Sequence, residues 1–186
     1  LKETLAAAML AAAGWQGRAE DGPLFDPFCG AGTIAIEAAQ IACGIAPGAN
    51  RRFAFERLAP WRAHQAAWRA MQGAARARVQ ASAVPIFAGD VSFRMTDFAT
   101  RNAERAGVAR SIEFKTADAL QRTPPPPSGT LVLTPPYGER IDAKGQGSGR
   151  QAIEAGGTPA EFFATLASHW KRHYAGWTAW VLAPEM

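Results

Sequence analysis

The chain is poor in the residues that build metal and disulfide sites. Among 186 residues it has two cysteines, Cys29 and Cys43, and three histidines. Neither cysteine stands in a CxxC pair, so no zinc site and no disulfide framework is expected, and two such thiols suit a reducing, cytoplasmic compartment. His169 and His173 are spaced to share a helix face. Lys171 and Arg172 lie between them where HExxH would carry a glutamate, so no metal is expected there. Long apolar runs are missing as well. Leu5 to Ala13 is too short for a membrane span, and Gly14-Trp15-Gln16-Gly17 follows it instead of a signal-peptide cleavage site. The Gly-Lys-Ser/Thr of a phosphate loop and a full GxGxxG are both absent, as is any internal repeat.

What is present suits one soluble domain with a real core: 48% hydrophobic residues and 19% charged ones. The net charge of +4 is unevenly placed. Arg51, Arg52, Arg57, Arg62, Arg69, Arg76 and Arg78 follow one another with Glu56 as the sole acid, and Trp61 and Trp68 sit among them. Arginine suits bidentate phosphate contacts and aromatic rings suit stacked bases, so this stretch reads as an RNA-facing surface. The plainer reading is a solvated helix with tryptophans inward and arginines outward.

Hydrophobic patterning and breakers predict alternating helices and strands. Helices are expected over Leu1–Ala13, Thr33–Cys43, Ser92–Ala106 and Pro159–His173. Strands are expected over Pro23–Asp26, Val84–Asp90, Ser111–Lys115, Thr130–Leu133 and Trp177–Leu182. An arginine-rich excursion with helical segments fills about 44–83, and 142–157 is a Gly/Ser-rich stretch expected to be mobile. Strands alternating with helices imply a parallel sheet covered on both faces, a three-layer α/β/α Rossmann-like fold.

In such sheets ligands bind at the carboxyl ends of the strands, near the switch in strand order. Four predicted strand ends carry unusual residues. Asp26-Pro27-Phe28-Cys29-Gly30-Ala31-Gly32-Thr33 follows the first, and its glycines let backbone approach a ligand closely. Asp90 ends the second strand, where an acid commonly grips a ribose diol. Asp118 follows the third, placed to accept from an adenine amine, and Thr134-Pro135-Pro136-Tyr137 follows the fourth. Acids at three ends disfavour a phosphate-rich nucleotide. Ribose, adenine and a cationic centre without phosphate are the parts of S-adenosylmethionine. Asp90 and Asp118 could also be helix caps, and Cys29 a small buried residue rather than a nucleophile. Trp170, Trp177 and Trp180 read as core.

Several segments together resemble a known family. LFDPFCGAGTIAIEAA, Leu24 to Ala39, closely resembles motif I of the THUMP-linked RNA guanine-N2 methyltransferases. LKETLAAAML, Leu1 to Leu10, resembles the helix before it. IAPGANRRFAFERLAPW, Ile45 to Trp61, looks like the insertion of the branch acting on large-subunit ribosomal RNA. NAERAGV, Asn102 to Val108, and PPYGER, Pro135 to Arg140, match too.

The resemblance implies a catalytic domain over 1–186 that binds S-adenosylmethionine and forms N2-methylguanosine in ribosomal RNA. It implies that Asp26, Phe28, Gly30, Gly32 and Thr33 line the methionine end of the cofactor, with Thr4 and Cys29 also among the cofactor-binding residues. Asp90 would hold the ribose, and Asp118 with Ala119 the adenine. Arg51, Arg52, Arg57 and Arg62 would meet RNA. The family's sheet has seven strands, so a chain stopping after the fifth reads as truncated, without the upstream THUMP domain. A cytoplasmic monomer with no membrane contact is expected.

The family's fourth motif is Asn/Asp-Pro-Pro-Tyr, in which the first side chain and a proline carbonyl accept from the target amine. Those acceptors help localise a lone pair otherwise delocalised into the base, while the tyrosine stacks on a base swung out of its helix. The corresponding residues are Thr134, Pro135, Pro136 and Tyr137. Thr134 departs from the pattern, since its hydroxyl accepts a hydrogen bond at shorter reach. Related loops methylate DNA adenine or protein glutamine, and a chain that had lost its chemistry at Thr134 would be an RNA-binding module.

Overall fold

In the computed structural model, which describes residues 1–125, 127–136 and 159–183, the predicted strands assemble into one parallel sheet. They are β1 (Leu24–Asp26), β2 (Ile86–Asp90), β3 (Ile112–Thr116), β4 (Gly129–Leu133) and β5 (Trp177–Val181). Their order is β3-β2-β1-β4-β5, and every neighbouring pair is parallel. The helices are α1 (Glu3–Ala12), α2 (Thr33–Ala42), α3 (Gln65–Arg76), α4 (Phe93–Ala106) and α5 (Pro159–His173). The Gly/Ser-rich stretch 142–157 lies outside the described residues.

Side chains alternate across a strand, so each strand feeds two cores. Leu24, Ile86, Ala88, Ile112 and Val132 point to one face, where they join Leu10 of α1, Ile34 and Ala38 of α2, and Ala99 and Ala103 of α4. Phe25, Phe87, Leu131 and Leu133 point to the other, where Phe162 and Leu166 of α5 cover them with Tyr174. Both faces of β1 are therefore buried, as its near-continuous apolar run requires.

The differences from the sequence reading have local causes. Proline lacks an N–H for the ladder, so β2 begins at Ile86, after Pro85, whose carbonyl accepts from Leu24 N at 3.2 Å. Ser111 closes a 3-10 turn over Ala109–Ser111, and β3 starts one residue later. Trp170 and Trp177 pack against the second core as expected. Trp180 does not, and is 39% exposed on β5.

Chain order sets the place of the site. From β1 the chain goes through α2 to β2 and on to β3, then returns to the far side of β1 as β4. The switch in strand order thus falls between β1 and β4, and all strands end on the same side.

Phe25 anchors the second core beneath this switch. Its ring stacks on Tyr174 with centroids 6.5 Å apart and meets the edge of Trp177 at 6.4 Å. Phe25→Ala should lower unfolding free energy by about 3–5 kcal/mol, the range for emptying a buried aromatic position. Chemical denaturation measures it, and a loss under about 1 kcal/mol would show that the neighbouring rings collapse into the space.

Candidate active site

Past Asp26 the chain turns sharply into α2. Gly30 and Gly32 adopt φ of +51° and +86°, the left-handed region that side chains avoid. At Gly32 a Cβ would sit 3.0 Å from the Ala99 Cβ, so a glycine lets α4 pack closely. At Gly30 a Cβ would meet nothing within 4 Å, so this part of the turn faces open space.

Three groups hold the turn in place. Asp26 Oδ1 accepts from Phe28 N at 3.1 Å. Asp90, at the end of β2, accepts from Gly30 N at 3.1 Å through Oδ2 and from Ser92 N at 2.9 Å through Oδ1. Asn102 of α4 donates Nδ2 to the Ala31 carbonyl at 2.8 Å. Sequence reasoning left Asp90 as either a ribose acceptor or a helix cap and gave Asn102 no role. The structure adds that Asp90 clamps the turn, binding a backbone N–H sixty residues away in the chain.

Both acids are deeply buried, at 1% exposure each. Burial pushes the Asp26 carboxyl up to about 8, the Phe28 N–H works against that, and the Asp90 charge adds to it. Burial also raises Asp90, opposed by its two backbone donors. Burial thus disfavours negative charge on both carboxyls beside the open turn. Cys29 is a structural member of the turn: its N–H donates to the Gly89 carbonyl at 2.7 Å, and burial drives its thiol strongly upwards, away from the thiolate a nucleophile needs.

The other predicted residues arrive as follows. Asp118 heads a turn after β3, with Oδ1 accepting from Leu120 N at 2.8 Å, and Ala119 is buried beside it. Thr134 is half-buried past the end of β4, followed by buried Pro135 and half-buried Pro136, while Tyr137 lies outside the described residues. Thr33 opens α2 and Phe28 is buried with its ring 6.0 Å from Phe162. Thr4 is exposed on the first turn of α1. Asp26, Asp90, Asp118 and Thr134 therefore sit at the carboxyl ends of four adjacent strands, with β1 between β2 and β4.

Arg122 was not singled out in the sequence, being one cation in a loop. Its guanidinium lies over the Phe25 ring at 4.5 Å and donates to the Ala88 carbonyl at 3.3 Å. Its own carbonyl accepts from the Tyr174 hydroxyl at 2.7 Å and lies 2.9 Å from His169 Nε2. His169 is thus a docking residue of α5. Among the described residues no cluster of metal-ligating side chains forms.

The arginine-rich excursion lies at the other pole. It leaves α2 at Cys43 and is tied back there by Gln80 N, which donates to the Cys43 carbonyl at 2.9 Å, just before β2 begins. Arg51, Arg52, Arg57 and Arg62 are all exposed on it. Trp61 and Trp68 form one aromatic cluster with Phe53 and Phe55 and leave no residue of α3 fully buried. The rings pack on one another, and the arginines remain in water.

A family profile, UPF0020, described as RMKL-like, methyltransferase domain, matches residues 1–182. Proteins named ribosomal RNA large subunit methyltransferase K/L are 41% identical in Shewanella baltica (strain OS185) and 39% in Shewanella oneidensis. In both, the whole of this chain aligns and spans 25% of the relative's length. Among solved structures, SMU.472 complexed with SAH superposes with a TM-score of 0.79 at 29% identity. A structure titled a predicted N6-adenine-specific DNA methylase from Listeria monocytogenes gives 0.76 at 30%. Each pairing covers 97% of this chain and 43% of the other.

The raised Asp26 pKa has a consequence for stability. Folding favours the protonated carboxyl, so unfolding between about pH 4 and pH 8 releases a proton. Stability should therefore fall as pH climbs through that window and level off above it. Asp26→Asn keeps an acceptor for Phe28 N and cannot ionise, so it should flatten part of that slope, with Asp90 supplying the rest. Denaturant midpoints at pH 5 and pH 8 test this, and an undiminished slope in the variant would show that Asp26 stays ionised throughout.

Proposed function

Because the chain belongs to the RMKL-like methyltransferase domain family, we propose that it is the catalytic domain of an S-adenosylmethionine-dependent enzyme. Its reaction is methylation of guanine N2 in large-subunit ribosomal RNA, in the cytoplasm, with residues 1–186 forming the domain and about 44–83 its insertion. The observation that carries this reading is the open glycine turn between two buried acids, one strand away from the Thr134-Pro135-Pro136 end of β4. The methyltransferase names of relatives aligned over the whole chain support it.

The residues fit the cofactor. S-adenosylmethionine supplies an activated methyl group on a cationic sulfur. Asp26, Phe28, Cys29, Gly30, Gly32 and Thr33, with Thr4, form the methionine end of its site, where the cofactor's positive charges would draw the Asp26 proton off. Asp90 has two acceptor positions engaged by backbone and others remaining for ribose hydroxyls, because a carboxylate offers about four. Asp118 with Ala119 receives the adenine. On the β4 side, the Thr134 hydroxyl and the Pro135 carbonyl accept from the target amine, directing its lone pair to the methyl group, with Pro136 setting the strand end and Tyr137 the stacking platform. The exposed Arg51, Arg52, Arg57 and Arg62 contact RNA phosphates.

Labelled methyl transfer by the complete protein decides the substrate. Label should enter ribosomal RNA and be recovered as N2-methylguanosine. The likeness to the predicted N6-adenine-specific DNA methylase of Listeria monocytogenes favours a second reading, DNA adenine, which label in DNA and none in RNA would establish. RNA binding without transfer would leave a binding module.

Within that assay Thr134→Ala should slow transfer about five- to hundredfold, the loss of a hydrogen bond of about 1–3 kcal/mol that strengthens in the transition state. Thr134→Asn should hold or raise the rate, and cofactor affinity should change little in either. An alanine variant as fast as the parent, with chemistry rate-limiting, leaves the Pro135 carbonyl as the acceptor.

Replacing Arg51 and Arg52 by alanine should weaken RNA binding whatever the sequence and flatten its salt dependence by about one or two contacts. An unchanged slope in salt titrations would make both arginines structural.

A further inference from the structure

Building on the RNA reading above, we propose that the arginine-rich excursion contains a subsite for a second nucleobase of the RNA, separate from the base that is methylated. A cavity of about 270 Å³ opens between α3 and residues 46–49, with Phe53, Trp68, Met71, Gln72 and Ala75 on its walls. That volume is just below the range of about 300–1,000 Å³ typical of pockets for drug-sized ligands, which suits a fragment the size of one base.

The walls have the chemistry of a base site. Phe53 and Trp68 offer aromatic surface, and they are braced by Phe55 and Trp61 at centroid distances of 5.2 to 6.0 Å. Met71 is 63% exposed and Val79 50%, an apolar rim left open to solvent at a cost that a stacked ring would remove. Gln72 brings an amide able to donate and accept at a base edge.

Charge selects the occupant. Arg76 and Arg78 line the cavity, and Arg51 holds its guanidinium 4.8 Å over the ring of Phe53, one of the wall residues. Among the described residues none of the seven arginines from Arg51 to Arg78 is in an ion pair, and Glu56 is the sole acid in that stretch. A flat apolar ring carrying phosphate answers both features at once. A second copy of this chain, with net charge +4, would bring cation to cation.

Position makes the subsite distinct from the catalytic crevice. The excursion is rooted where α2 ends and β2 starts, at the amino ends of the strands, whereas Asp26, Asp90 and Thr134 lie at the carboxyl ends. The ten residues of α2 run between the two poles, a rise of about 15 Å. RNA seated here would be gripped well away from its target base.

The test uses the complete protein, a short oligoadenylate, and an abasic oligomer of the same length and phosphate count. Ala75→Phe fills the cavity, and Met71→Ser removes apolar wall without adding bulk. The parent should bind oligoadenylate about five- to hundredfold more tightly than the abasic oligomer, the range for stacking one base. Ala75→Phe should erase at least fivefold of that preference, and Met71→Ser part of it, while affinity for the abasic oligomer stays at the parental value and so reports an intact fold. Oligoadenylate carrying a photoreactive base should crosslink to Trp68 or Met71. Equal preference in parent and Ala75→Phe overturns the subsite while leaving RNA binding intact. A parent that binds neither oligomer overturns the RNA reading itself. A filled variant that destabilises the complete protein without RNA, and keeps the parental preference, assigns the cavity to another part of the same polypeptide and overturns the subsite.

Discussion

The hydrogen bond from Gly30 N to the Asp90 carboxylate is the contact on which the site depends. It joins the turn after β1 to the end of β2, and its acceptor is a carboxylate 1% exposed, for which losing a donor would be costly. The same carboxylate takes Ser92 N, so one side chain fixes both the glycine turn and the entrance to α4. Asn102 reaches back from α4 to the Ala31 carbonyl and closes the loop of dependence. The acid cannot relax into water and the turn cannot move without losing the bond. The result is a rigid rim with an opening at Gly30 and two carboxyls beneath it.

Beneath that rim the second core supplies stiffness of another kind. Phe25 lies between Tyr174, Trp177 and the Arg122 guanidinium, and the Arg122 carbonyl is bound by Tyr174, just past the end of α5, and faced by His169 of that helix. The loop that carries Asp118 is therefore tied to the helix that follows β4. Burial lowers the pKa of Arg122 and pushes the Tyr174 phenol up to about 12, consistent with groups held in the interior for packing and hydrogen bonding. The strands β1 and β2, buried on both faces, transmit such constraints from one strand end to the next.

The arginine-rich excursion answers to different forces. Its helix is amphipathic yet has no buried residue, because its apolar side meets a small aromatic cluster and a cavity rather than the sheet. Its cations find no acids to pair with among the described residues. Core and excursion thus divide the work: one orders acids around a turn, and the other offers aromatic surface and positive charge at the opposite pole.

The sequence by itself determined the elements and the class of site. Helix period, strand alternation, the prolines and the glycines placed every strand within two residues, because these are local preferences of the backbone. Acids after three successive strands were legible for the same reason: chain order alone puts the carboxyl ends of parallel strands on one side. The tertiary structure decided what each acid does. That Asp90 clamps Gly30, that Asn102 holds Ala31, and that Arg122 caps Phe25 depend on contacts between residues 60, 71 and 97 positions apart, and no local pattern carries them. Trp180 was misread as core because a tryptophan's size does not say whether anything lies across from it; on β5 its ring is 39% exposed. The two-pole arrangement was hidden as well. The excursion looked adjacent to the glycine turn in sequence, but α2 runs antiparallel to the strands and carries the chain to the far end of the sheet before the arginines begin.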